Sequence, residues 1–313
     1  MDTIITVLGS YVCQMSAYLP YVPKPGETIV AKKFDMGPGG KGSNVAIAIS
    51  RLGGEVLLVE RIGDDIFGDL VLDTYQKENI DISCITKDKT TQSGIGLVYV
   101  QPTGENTAAY YAGANECLTA ENIYSAEKQI ARSSLIYIQL EIPDEPIIAA
   151  IDLANKYDIK VILNPAPARE IPDDIIKNVD IITPNQVEAM HYAAIDFREE
   201  ITEDDIKIIG EKLISLGPSE VYLTFGKNGA YYFNKNGDVL FQKAILVDVV
   251  DSVGAGDAFN AALCMGYAKK LPIEEILLLA SICGGLTTTK AGVIDALPYM
   301  KDVNKYFKDK NIR

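Results

Sequence analysis

The chain has no tryptophan and a single histidine, and the scarcity of imidazole removes several chemistries at once. A zinc site with His ligands, a Ser-His-Asp triad and a Cys-His dyad would each depend on His191. That residue lies in a helix-like stretch, Glu188-Ala189-Met190-His191-Tyr192, where a structural role is the simpler reading. The five cysteines (Cys13, Cys84, Cys117, Cys264 and Cys283) are scattered and contain no C-x-x-C pair, which argues against a disulfide frame and fits reduced thiols in a cytoplasmic protein. No apolar run is long enough to span a bilayer and no basic segment with a cleavage site is visible, so neither a membrane span nor a signal peptide is expected. Positive charge is also short: 29 Lys and Arg against 43 Asp and Glu leave a net charge of −14, which disfavours nucleic acid or an anionic membrane as partner. Without repeats, low-complexity segments or linkers, residues 1–313 read as one domain.

What is present is alternation. Strand-like runs at Ile4–Leu8, Val56–Arg61, Leu135–Gln139, Lys160–Leu163, Ile181–Thr183, Glu220–Phe225 and Ala244–Val250 are separated by helical patterns at Ser43–Leu52, Asp65–Glu78, Glu145–Tyr157, Glu203–Leu216 and Ile273–Thr288. This predicts an α/β fold, a mainly parallel central sheet with helices on both faces. Two stretches break the rhythm: Glu27–Asp35 reads as a short strand, and Ser93–Val100 with Thr107–Tyr111 as a hairpin around Pro102-Thr103-Gly104-Glu105. Together they predict a small β-sheet lid formed by about residues 10–36 and 92–112, beyond the strand ends where α/β sheets bind ligands.

The most informative stretch is Asp251-Ser252-Val253-Gly254-Ala255-Gly256-Asp257-Ala258-Phe259, which follows the β-branched run ending at Val250 and opens a helix over Ala258–Ala268. Free N–H groups in a helix's first turn, with the positive end of its dipole, bind phosphate, and glycines at 254 and 256 let a ligand reach the backbone. Asp257, held ionised by the same dipole, would take a proton from an alcohol while the amides absorb phosphoryl charge. The alternative is an ordinary capping Asp after a tight turn. A second glycine element, Met36-Gly37-Pro38-Gly39-Gly40-Lys41-Gly42-Ser43-Asn44, precedes a helix of small residues. Its spacing is not that of a P-loop, and Gly9-Ser10-Tyr11 after the first strand is not a dinucleotide fingerprint. Its amides, with Lys41 and Asn44, suit the hydroxyls of a polyol; a tight helix-packing turn with a solvated lysine explains the same residues.

Gly39-Gly40-Lys41-Gly42-Ser43-Asn44 and Asp251-Ser252-Val253-Gly254-Ala255-Gly256-Asp257 together resemble the two signatures of the ribokinase-like (PfkB) carbohydrate kinases, with the ribokinase branch nearest. Between them, in order, come Gly63-Asp64-Asp65-Ile66-Phe67-Gly68, Ala112-Gly113-Ala114-Asn115, Gln139-Leu140-Glu141, Asn164-Pro165-Ala166 and Thr183-Pro184-Asn185, so the resemblance covers nearly the whole chain. It implies Asp257 as catalytic base and Gly254, Ala255 and Gly256 as anion hole. It implies sugar contacts from Gly39, Gly40, Lys41, Asn44 and Glu141, the last otherwise an ordinary strand-end acid. Asn185 and Glu188 match an Asn-x-x-Glu element that organises Mg²⁺ and phosphates; without the resemblance Glu188 is a surface helix residue. Thr224, Gly226 and Gly229 match the nucleotide loop, and Ser281 a position packed on adenine. Asp251 and Val253, with Lys290-Ala291-Gly292, resemble a monovalent-cation (K⁺) site.

One departure stands out. Where the family grips sugar hydroxyls with Asn and Asp, this chain has Val12 and Gln14. A neutral amide and an apolar branched side chain change the hydrogen-bonding offered, so plain ribose is disfavoured as acceptor. Tyr110 in the hairpin either reshapes the pocket or packs the lid. The expectation is an ATP-dependent kinase for a small sugar or polyol, using Mg²⁺ and K⁺ and forming a homodimer through its lid. The alternatives are a kinase for a nucleoside or another hydroxylated metabolite, and a sugar-binding sensor without turnover.

Overall fold

The computed structural model describes residues 4–102 and 106–310. Its larger sheet contains β1 (Ile4–Leu8), and the smaller begins with β2 (Val12–Tyr18) and β3 (Lys33–Gly39). Then follow β4 (Glu55–Gly63), β5 (Asp81–Asp88), β6 (Gly94–Val100), β7 (Asn106–Tyr111), β8 (Leu135–Ile138), β9 (Lys160–Leu163) and β10 (Ile181–Ile182). The last strands are β11 (Glu220–Thr224), β12 (Ala230–Asn234) and β13 (Val239–Gln242). The helices are α1 (Lys41–Arg51), α2 (Ile66–Lys77), α3 (Ala120–Ser125), α4 (Glu127–Ile130), α5 (Asp144–Tyr157) and α6 (Asp173–Ile176), then α7 (Gln186–Tyr192), α8 (Glu203–Ser215), α9 (Ala255–Ala268), α10 (Ile273–Thr287) and α11 (Met300–Asp309).

The larger sheet has the order β13-β12-β11-β10-β9-β8-β1-β4-β5 and is parallel except for β11-β12 and β12-β13. Alternate residues feed two cores, as a sheet buried on both faces requires. Val56, Leu58, Leu135 and Tyr137 pack on the side of α1, α9 and α10, whereas Leu57, Val59, Ile136 and Ile138 pack on the side of α5 and α8. The expected α/β architecture is therefore present.

Two expected strands differ. Ala244–Val250 forms none: Leu246 is 82% exposed and Val249 67%, and the run's end is tied to the protein through the Val250 amide on the Thr288 carbonyl. Its β-branched content expressed propensity, but without a neighbouring strand to pair with that propensity forms no sheet. The strand expected at Glu27–Asp35 lies later, at Lys33–Gly39, so it runs into the glycine element itself. Of the turn expected between β6 and β7, Thr103, Gly104 and Glu105 lie outside the described residues.

The small sheet has the order β3-β2-β6-β7. Its base is built from motifs the sequence displays openly. Asp65 caps α2 by accepting from the amides of Phe67 and Gly68, and it also accepts from the amide and hydroxyl of Ser93 at the foot of β6. Asn115 accepts from the Tyr11 amide and donates to the carbonyls of Tyr11 and Ala112. Among the described residues no helix is long and apolar enough to cross a membrane, and all five cysteines are free.

Candidate functional site

The start of α1 is pressed against the β1–β2 turn. Gly40 has φ 95, and a Cβ there would lie 2.3 Å from the Ser10 carbonyl oxygen; one on Gly42 would lie 2.3 Å from the Ser10 amide nitrogen. The two glycines thus permit backbone contact, and the Gly42 amide donates to Ser10 Oγ at 3.1 Å while the Ser43 amide donates to the Ser10 carbonyl at 3.2 Å. The Lys41 amide donates to Glu141 Oε2 at 2.9 Å, and Ser10 Oγ donates to the same oxygen at 2.7 Å. The amides of Lys41, Gly42 and Ser43 are thus bonded inside the protein, whereas the Gly40 amide has no partner among the described residues. Also open to a ligand are the Lys41 side chain, Asn44 Oδ1 and Glu141 Oε1, the last two without a hydrogen bond among the described residues.

Opposite lies the start of α9. Gly254 caps it in the left-handed region at φ 80, a conformation that favours glycine. Among the described residues the amides of Gly256 and Asp257 have no partner, while the Ala255 amide donates to Ser252 at 3.3 Å. A Cβ on Gly256 would meet nothing within 4 Å, so the turn is open. α1 and α9 pack through small residues, including Ala46, Ala48, Ala258, Ala261 and Ala262, and this close approach brings Asn44 onto Asp257. The Asn44 side-chain amide donates to Asp257 Oδ2 at 2.7 Å.

A cavity of about 190 Å³ lies here, lined by Lys41, Asn164, Ala166, Thr183, Asn185, Glu188, Thr224, Gly254, Gly256, Asp257, Phe259 and Asn260. Burial pushes the Asp257 carboxyl up to about 6, against the opposing pull of Lys41 and Asn44. Desolvation outweighs these two groups, yet a carboxyl near 6 is still mostly ionised at neutral pH, as the sequence expectation required. Lys41 is raised; burial works against its charge, but Asp257, Glu141 and Glu188 together prevail. Burial also raises Glu188, opposed by the Asn185 amide and Lys41. Glu188 closes a capping box with Asn185, its Oε2 accepting the Asn185 amide and its Oε1 the Asn185 side chain, both at 2.8 Å.

Of the residues singled out by sequence, Lys41, Asn185, Glu188, Thr224, Gly254, Gly256 and Asp257 line this cavity. Glu141, Gly39 and Gly40 sit at its edge through Ser10 and Lys41, and Gln14, paired with Gly37 on the small sheet, lays its side chain beside Gly39. Gly226, Gly229 and Ser281 lie outside the lining, as does the exposed His191. Asp251 joins two loops: its carboxylate accepts from the Val253 amide at 3.0 Å and the Gly292 amide at 3.3 Å. The sequence reading missed Asn260 and Thr183 as cavity residues, each buried with a side-chain oxygen that has no partner among the described residues. Asn260 was findable, since it lies three residues after Asp257 on the same helical face.

A helix start with free amides, a buried carboxyl beside it and a carboxylate-edged polar cleft are the features that phosphoryl transfer to an alcohol calls for. The profile of the pfkB family carbohydrate kinases matches residues 3–300. The chain belongs to that family, and is an ATP-dependent sugar kinase. It is 31% identical over 303 residues to a deoxyribokinase of Salmonella typhi, covering 96% of this chain and 98% of that one. It is 30% identical over 308 residues to a ribokinase of Haemophilus influenzae, covering 98% and 99%. A ribokinase structure from Arabidopsis thaliana, complexed with ribose and ATP, superposes with a TM-score of 0.92 at 26% identity, covering 98% of this chain and 99% of that one.

Proposed function

We propose that the chain phosphorylates a primary hydroxyl of a pentose poorer in hydroxyl groups than ribose, a deoxypentose foremost. The observation that carries this is the register of the small sheet. One row runs Gly39, Val12, Gly94 and the next Gly37, Gln14, Gly96, Tyr110, so Val12, Gln14 and Tyr110 share a face. Val12 is only 6% exposed and apolar, and a sugar hydroxyl set against it would lose its partners. A methylene would not. That relatives of this chain include a deoxyribokinase as well as ribokinases supports the same choice.

In the proposed reaction Asp257 takes the proton of the attacking hydroxyl, with Asn44 orienting its carboxylate. The Gly256 and Asp257 amides, at the positive end of α9, receive the charge of the transferring phosphoryl group, and Lys41 neutralises the cleft. The donor set suits Mg²⁺, a cation of carboxylate and phosphate oxygens: Glu188 lines the cavity and would hold it together with phosphate oxygens. When bound, it would neutralise phosphate charge. Asn185 and Thr224, joined by a β-bridge, would face the nucleotide, with Gly226, Gly229 and Ser281 further along its path. The Asp251–Gly292 junction is the proposed K⁺ locus, and the small sheet the proposed lid of a single cytoplasmic domain.

The test is ATP consumption with Mg²⁺, with and without K⁺, across pentoses, deoxypentoses, hexoses, polyols and nucleosides, beside Asp257→Asn. Preference for a deoxypentose, with kcat lowered by about 10² to 10⁴ in the variant, is expected. Preference for ribose or a nucleoside would overturn the substrate assignment.

A further inference from the structure

Beneath the acceptor edge lies a carboxyl group that phosphoryl transfer does not use. Glu60, on β4, is fully buried, and its Oε2 lies 2.9 Å from the Tyr75 hydroxyl of α2. That hydroxyl contacts Ser43 Oγ, and Ser43 Oγ donates to the Ser10 carbonyl at 3.0 Å. Ser10 is the joint of the edge, since its own hydroxyl donates to Glu141 and accepts the Gly42 amide. Gly9 makes room for the acid: a Cβ there would lie 2.7 Å from Glu60 Oε1.

Ser43 and Tyr75 carry one hydroxyl hydrogen each. Ser43 gives its hydrogen to the Ser10 carbonyl, so its bond with Tyr75 uses the tyrosine's hydrogen. The contact between Tyr75 and Glu60 is then a hydrogen bond only when Glu60 supplies the proton. With Glu60 ionised, Tyr75 donates to the carboxylate instead, Ser43 must turn to Tyr75, and the Ser10 carbonyl loses its hydroxyl partner.

We propose that Glu60 is a positioning residue for the acceptor: as a neutral acid it holds Ser43 on Ser10, and through Ser10 it holds Glu141 and the start of α1. The proposal rests on reading the Ser10–Glu141 edge as the sugar contact. Burial pushes the Glu60 carboxyl up to about 8, with Tyr75 and Ser43 opposing it. The titratable groups around it are Tyr75 from α2 and Tyr11 from the β1–β2 turn, with Cys13 and Asp65 acting on Tyr11. Ile85 stands opposite on β5, and Arg61, on the other face of β4, is paired with Asp88.

The test is the KM of the accepted sugar and kcat at saturation, measured from pH about 6.5 to about 9.5. Wild-type KM is expected to rise roughly fivefold, the weight of one hydrogen bond, with kcat unchanged. Glu60→Gln donates to Tyr75 at every pH and Tyr75→Phe cuts the relay, so both should show a flat KM. A flat wild-type profile, or the same rise in both variants, overturns the proposal. Glu141→Gln separates the premises: unchanged KM there sinks the acceptor-edge reading, whereas raised KM with a flat wild-type profile sinks only the role of Glu60. Should neither Glu60→Gln nor Tyr75→Phe fold, infrared spectra of the wild-type protein decide. Loss of a protonated-carboxyl band in step with KM supports the relay, and no such band overturns it.

Discussion

Asn44 and Asp257 are 213 residues apart in the chain and joined by a 2.7 Å hydrogen bond. One comes from the first turns of α1 and the other from the first turn of α9, so the bond locks the two helix starts together at the cavity. Asn44 lowers the proton affinity of Asp257 that burial raises.

The pH dependence follows in sign. As the proposed base, Asp257 must be ionised to act, so kcat/KM should rise with pH through about 6. Lys41→Met removes a cation that favours the ionised form and should move this limb to higher pH. Because the folded state binds this proton more tightly than the unfolded chain, the associated stability is present below pH 3.8 and lost as pH rises through about 6. Asp257→Asn should therefore flatten that part of the Tm profile; an unchanged profile refutes the linkage.

The glycines before Asp257 should separate stability from catalysis. Gly254→Ala forces a left-handed φ on a side chain whose Cβ lies 3.2 Å from Val293 Cγ1, and should cost about 1–2 kcal/mol in urea unfolding. Gly256→Ala enters open space in a helix, so it should fold at least as well while its methyl obstructs the phosphoryl position and lowers kcat. A normal kcat for Gly256→Ala would remove this turn from the reaction.

Val12→Asn combined with Gln14→Asp should swing the acceptor preference towards ribose. Steady-state kinetics with both sugars should show kcat/KM for ribose rising by about tenfold or more, the weight of one regained hydroxyl contact to an ionised group. No shift would place acceptor choice elsewhere, with Tyr110 as the next residue on that face.

The opposite face of the small sheet carries Phe34, Met36, Leu97 and Tyr99, exposed by 59%, 50%, 43% and 39%. Burying it between two copies is the proposed dimer contact, for exposed apolar sheet faces and edges favour association. Sedimentation velocity should report a dimer for the wild type and a monomer for Leu97→Lys; a monomeric wild type excludes the contact.

Local patterns were strong where one segment's own residues carry the structure. The continuous apolar runs Val56–Val59 and Leu135–Ile138 are buried on both faces, and each appears as a strand. Asp257 was legible because strand-like residues, glycine and an acid stood in one short stretch. Ala244–Val250 was misread for the complementary reason: β propensity is local, but pairing is a property of what lies alongside. The strand β2 is weakly marked: Cys13, Met15 and Ala17 make one face apolar, but the other mixes Val12 with Gln14 and Ser16, and neither face is buried throughout. The free amides were likewise assigned by proximity in sequence, and only the contact with Ser10 shows that those of Gly42 and Ser43 are occupied.

By itself the sequence determined the alternating elements, the two glycine-rich helix starts and the chemical kinds of group available to the site, because these depend on short-range sterics and on residue identity. The tertiary structure alone decided which groups remain free, how far burial raises Asp257, and that Glu60 lies under Ser10. Desolvation and hydrogen-bond partnership arise between segments that are distant in the chain, and no local pattern records them.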